Sequence, residues 1–144
     1  MIKIIAVGKL KEEYLKELVR DYLGRVNKYH KTIIFEVKDS DLVKEKSSIL
    51  KQINEDEKVI TLDIKGRKMD SLEFAEYLDN TLAKTSKIVF IIGASKGVHK
   101  DIIDKSSSVI SFSDLTFPHG LFRGILLEQI YRAFKINNNE TYHK

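Results

Sequence analysis

"KIVFIIGASKGVHKDI", residues 87–102, decides the fold. Its first half is a nearly unbroken apolar run rich in β-branched residues, as a strand covered on both faces requires. It then breaks at Gly93 and Gly97 and continues into "VHKDIIDKSS", which reads as a short helix after a glycine turn. A strand that passes through a glycine-bearing turn into a helix is the repeating unit of a parallel sheet, and such folds bind ligands outside the carboxyl ends of their strands.

Four more runs share that strand character: "IKIIAVG" (2–8), "TIIFEV" (32–37), "KVITLDI" (58–64) and "SVISFS" (108–113). Between them lie segments of helical period. In "KEEYLKELVRDYLGRV", Tyr14, Leu15, Leu18, Val19, Tyr22 and Leu23 form an apolar stripe. "SLEFAEYLDNTLAK" starts at Ser71, the expected N-cap, and would bury Leu72, Phe74, Ala75, Leu78 and Leu82. The stretch 41–54 reads as a weaker, polar helix. Four strand–helix repeats closed by a long helix predict an α/β fold, with a mostly parallel sheet and helices on both faces. At 144 residues the expectation is one domain, 1–144.

Composition narrows the function classes. The chain has no cysteine, which excludes disulfides, thiolate catalysis and zinc–thiolate sites, and suits the cytoplasm. The N-terminal apolar run is too short for a signal peptide or a membrane span, so no membrane association is expected. His30, His99, His119 and His143 are scattered without ligand spacing, so no metal is expected either. A net charge of +4 is a mild basic tilt rather than a nucleic-acid-binding patch.

Two stretches carry candidate chemistry. In "GASKGVHK" (93–100), Gly93 and Gly97 permit positive φ or close approach of backbone to a ligand, although a tight turn with a helix cap accounts for them equally well. The spacing is neither a Walker nor a dinucleotide fingerprint. "SFSDLTFPHG" (111–120) contains Pro118, the only proline, which keeps the loop extended up to the start of the long helix. Such a loop offers backbone donors and acceptors to a planar heterocycle, with Phe112, Leu115 and Phe117 as apolar walls; a well-packed connector is the alternative reading. The helix that follows is apolar on nearly every side, so a second copy of the chain is its expected cover, giving a homodimer through this C-terminal helix. Glu128 and Arg132 are spaced for a solvent-exposed ion pair, and Arg123 is expected at the rim of a site, where arginine recognises phosphate or carboxylate.

The segments "AVGKLKEEY", "VITLDIKG", "FIIGASKGVHKDI", "SFSDLTFPH", "LLEQIYRAFKI" and the terminal "YHK" together resemble the ribosomal RNA large-subunit methyltransferase H family, of the SPOUT class of trefoil-knotted methyltransferases. The resemblance spans almost the whole chain. It implies a homodimer that transfers a methyl group from S-adenosylmethionine to N3 of a pseudouridine in 23S ribosomal RNA of the assembled 70S ribosome. It also implies a knot within about 87–144. By the same resemblance, Leu62, Gly93, Phe112, Ser113, Asp114, Leu115, Thr116 and Phe117 would hold the cofactor. His143 would serve as base with Tyr142 orienting it or stacking on the target base, Arg123, Arg132 and Lys144 would contact phosphate or stabilise developing charge, and His119 would contact RNA. His119 is also a second base candidate, or simply a cap on the long helix. Two departures stand out: Ala94 replaces a glycine usual in relatives, and the connector at 39–50 is short. The rival readings are a SPOUT enzyme for another RNA and a ribosome-associated module without catalysis.

Overall fold

The computed structural model describes residues 1–144. Five strands alternate with five helices: β1 (Ile2–Val7), α1 (Glu13–Asn27), β2 (Thr32–Val37), α2 (Leu42–Lys51), β3 (Lys58–Lys68), α3 (Ser71–Lys84), β4 (Ile88–Ile92), α4 (Lys100–Lys105), β5 (Ser108–Ser111) and α5 (His119–Asn137). The strands form one sheet in the order β2-β1-β4-β3-β5, and every pairing is parallel. All carboxyl ends therefore lie at one edge of the molecule.

The apolar runs are continuous because both faces of the sheet are covered. Ile2, Ile4, Ala6, Ile60, Leu62, Ile88, Phe90, Ile92 and Ile110 face α1, α3 and α5. The alternate residues Ile5, Val7, Val59, Val89 and Ile91 pack with Ile49 of α2 and Ile102 of α4. Two expected stripes shift. Tyr14 is 68% exposed and Leu72 56% exposed, so the buried faces of α1 and α3 are narrower than their apolar content. Asp70, not Ser71, caps α3: its carboxylate accepts the Glu73 N–H and the Glu73 side chain returns the bond, a reciprocal pair available one residue earlier than expected.

α5 lies between α1 and α3, which cover much of its apolar surface within the chain, burying Leu126, Leu127, Ile130, Ala133 and Phe134. β3 is longer than expected and irregular. Its pairing with β5 breaks after Leu62 and resumes at Arg67, so residues 63–66 bulge out of the ladder. Gly66 makes that return possible: a Cβ there would lie 2.7 Å from the Ile110 nitrogen. β5, by contrast, ends at Ser111 rather than 113, which releases the following residues as a loop.

Candidate active site

The bulge, the turn after β4 and the loop after β5 enclose a cleft of about 750 Å3 at the carboxyl edge of the sheet. Leu62, Ile92 and Ile110, adjacent in register at the strand ends, form its floor. Gly93 opens the turn, and no side chain fits there: a Cβ would sit 2.7 Å from both the carbonyl carbon of Gly97 and a methyl of Val98. Gly97 has φ +79 and donates its N–H to the Ala94 carbonyl at 2.8 Å, closing the turn. Ala94 itself needs no positive φ, so the alanine leaves the turn intact.

The loop 112–118 makes the other wall. Phe112 is wedged edge-on to Phe74 at 5.2 Å and against Phe122 at 5.6 Å, and Phe117 stacks on Phe122. Ser111 Oγ donates to the Ser113 carbonyl, and Ser113 Oγ accepts from the Leu115 N–H at 2.9 Å. From Ser113 to Phe117 no N–H bonds to another backbone carbonyl. A stiff loop with free amide donors beside an apolar floor is suited to a flat, hydrogen-bonding heterocycle. Leu115 and Phe117 remain 69% and 37% exposed at the mouth.

The cleft brings together Leu62, Gly93, Phe112, Ser113, Leu115, Thr116, Phe117 and His119. Asp114 stands outside the lining and pairs with Lys68. Sequence reasoning missed Asp63, Ile64 and Lys65 of the bulge, Lys96 and Val98 of the turn, and Phe122. The one available signal was Gly66, a glycine closing an otherwise regular strand.

Arg123 is not at a rim. It is 1% exposed; Nη1 donates to Glu36 Oε2 at 2.6 Å and Nη2 to the Gly8 carbonyl at 2.7 Å. Burial alone would raise the Glu36 carboxyl, but the bonds from Arg123 and the Leu10 N–H outweigh it and hold Glu36 below the usual carboxylate range. Burial, then the Arg123 charge, pull the His119 imidazole below its usual pKa.

The tail residues gather at the far end of α5. Arg132 bonds Glu128 and His143 Nδ1, the latter at 3.0 Å, and its guanidinium lies 4.8 Å from the Tyr142 ring centroid. Tyr142 packs edge-on to Tyr131 and approaches the Tyr22 hydroxyl at 3.4 Å; burial and that contact push its phenol up to about 12. The Glu128–Arg132 pair is only about one-fifth exposed, because the tail folds over it. Thirteen residues of helix separate Arg132 from His119, about 20 Å at 1.5 Å per residue, so the tail does not reach the cleft of its own chain. Lys144 is exposed beside it. No group of three or more His, Asp or Glu is placed to hold a metal ion, and no helix is long and apolar enough to cross a membrane.

A wholly parallel sheet with a ligand cleft built from the loops after β4 and β5 defines the class of protein: the family model described as "Predicted SPOUT methyltransferase" matches residues 1–143. The chain belongs to that family, and within it to the ribosomal RNA large subunit methyltransferase H proteins. It is 46% identical to the protein of that name from Clostridium kluyveri, over 99% of both chains, and 44% identical to that of Caldicellulosiruptor saccharolyticus, over 100% of both. The first alignment spans 157 positions against 144 residues here, so the relatives carry extra residues. Among solved structures, a probable methylase family protein from Haemophilus influenzae superposes with a TM-score of 0.61 at 14% identity, covering 99% of this chain and 70% of that one. A probable methyltransferase from Bordetella pertussis gives 0.60 at 8% identity, covering 92% and 93%. At those identities the likeness is one of fold.

Proposed function

We propose that this methyltransferase uses S-adenosylmethionine to methylate N3 of a pseudouridine in 23S ribosomal RNA, acting as a cytoplasmic homodimer on the assembled 70S ribosome. The observation that carries the cofactor reading is the cleft itself. Its volume, apolar floor and unpaired loop amides fit an adenosine-sized group, and the Gly93 turn at its edge is closed so tightly against Gly97 and Val98 that no Cβ fits. The ribosomal substrate rests on the names of full-length relatives. The strand order and the two loops sharing one cleft support reading 87–144 as the knotted segment.

S-Adenosylmethionine, when bound, supplies an electrophilic methyl group on a positively charged sulfur. Leu62, Ile92 and Phe112 would enclose its apolar part, the amides of residues 113, 114, 116 and 117 would bond its polar edges, and the Asp63 carboxylate would face its positive charge. What remains for the protein is to place N3 in line with the methyl group and to accept the imide proton. The one imidazole in the cleft, His119, is tied to the Gly93 carbonyl at 3.1 Å and to Arg123, and the tail lies about 20 Å away along α5. We therefore infer that His143 works in the cleft of the partner subunit, with Tyr142, Arg132 and Lys144 contacting RNA beside it. The dimer face would be the apolar groove of about 290 Å3 between α3 and α5, lined by Met69, Phe74, Phe117 and Ile125 and continuous with the cleft through Phe112 and Phe117.

Calorimetry with S-adenosylhomocysteine tests the pocket, and methyl incorporation into 70S ribosomes against protein-free 23S RNA tests the substrate. Binding, with incorporation only into ribosomes, is expected. Equal rates on free RNA would contradict the ribosomal reading, and absence of binding would favour a module without catalysis.

A further inference from the structure

Arg123 is among the largest fully buried side chains of the molecule, yet the reaction above gives it no task. Its guanidinium joins two distant segments, Glu36 at the end of β2 and Gly8 after β1, to its own helix, where Nη2 lies 3.3 Å from Nε2 of His119 one turn earlier on α5. A guanidinium only donates, so Nε2 of His119 must be the accepting nitrogen. The other ring nitrogen, Nδ1, lies 3.1 Å from the Gly93 carbonyl, which only accepts, so Nδ1 must carry the hydrogen. The two contacts select one tautomer of a neutral ring.

We propose that Arg123 is a positioning residue: it fixes His119 as the Nδ1–H imidazole whose N–H holds the Gly93 carbonyl, and so sets the turn 93–98 that walls one side of the cofactor cleft. The packing agrees. Gly8, at φ +100, presses against the ring, and a Cβ there would lie 3.2 Å from His119 Nε2, so the imidazole is clamped between β1 and β4. Apart from its own Gly97–Ala94 bond, the turn has no other backbone hydrogen bond before His99, leaving His119 as its one hydrogen-bonded tie to the rest of the protein, beside the packing of Ala94 and Val98 on the apolar cluster under α2 and α4. The depressed basicity of the ring, from burial and then from the Arg123 charge, fits a histidine kept neutral. With both nitrogens engaged, His119 is not free to take a proton from substrate. Its work is done as part of the cleft wall.

This inference rests on the cleft being the cofactor site, and the two are separable. Nitrogen NMR of the full chain with labelled histidine needs neither cofactor nor variant. His119 is expected as the Nδ1–H tautomer at neutral pH; an Nε2–H or a charged ring would overturn the proposal. Calorimetry with S-adenosylhomocysteine then measures the coupling. Arg123→Lys should weaken binding about tenfold in the wild-type background and less than about twofold in a His119→Ala background. Equal weakening in both would show that Arg123 does not act through His119 and would also overturn it. His119→Asn keeps an N–H donor for Gly93 and should recover most of the affinity that His119→Ala loses; no recovery would remove the Gly93 link. Should S-adenosylhomocysteine not bind the wild-type chain, the cofactor reading fails, and the NMR result alone decides the role of Arg123.

Discussion

The two ends of α5 carry the same pair of residue types in opposite settings. At the amino end, His119 and Arg123 are enclosed by Gly8, Glu36 and Gly93, segments that reach them from three strands. At the carboxyl end, Arg132 meets His143 on the surface, next to Tyr142 and a tail held mostly by its own neighbours. A histidine beside an arginine is thus a fixed strut at one end and a presented group at the other. Burial, not residue type, separates them. The buried pair shapes the cleft, and the exposed His143 is available to a partner.

The contrast can be broken or sharpened in stages. Gly93→Val, which drives a branched side chain into the Gly97 carbonyl and Val98, should lower S-adenosylhomocysteine affinity more than about a hundredfold; calorimetry that finds affinity within a few fold would remove Gly93 from the pocket. His143→Ala should reduce methyl transfer to ribosomes about a hundredfold while leaving cofactor affinity and unfolding midpoint unchanged, since it removes the proposed proton acceptor and little packing. In urea titrations Arg123→Ala should cost about 3 kcal/mol, because it opens a cavity and strips Glu36 of its partner, whereas Arg132→Ala should cost less than about 1 kcal/mol. Similar losses at both ends would erase the distinction.

The smallest effect is on pH dependence. The folded-state pKa of His119 lies below 6.5, so at neutral pH and above the ring is neutral in both folded and unfolded chains and contributes no slope. As pH falls below 6.5 the unfolded chain takes up the proton first, so stability declines until the folded-state pKa is passed. His30, also depressed, adds to the same slope. His119→Asn should therefore flatten, but not abolish, the decline in chemical stability measured between neutral pH and about pH 5. An unchanged slope would mean that His119 is not held neutral.

Those outcomes also mark what the sequence could and could not convey. Strands β1, β3 and β4 were legible because burial on both faces forces continuous apolar runs, and the loop at Pro118 because proline restricts its neighbourhood directly. The bulge at 63–66 was not, because it depends on the backbone of β5 closing against Gly66. Arg123 was misplaced for a similar reason: its partners Glu36 and Gly8 lie 87 and 115 residues away, and nothing local distinguishes a buried arginine from one at a rim. The all-round apolar character of α5 was read as calling for a second subunit, yet α1 and α3 already cover much of it. What is left for a partner is the groove beside Phe117 and Ile125.

The most direct measurement is methyl transfer from labelled S-adenosylmethionine to whole ribosomes from cells lacking this protein, followed by mass analysis of the nucleosides. A single N3-methylpseudouridine from 23S RNA is the predicted product. Label in any other nucleoside, or none while S-adenosylhomocysteine binds the cleft, would contradict the proposed substrate.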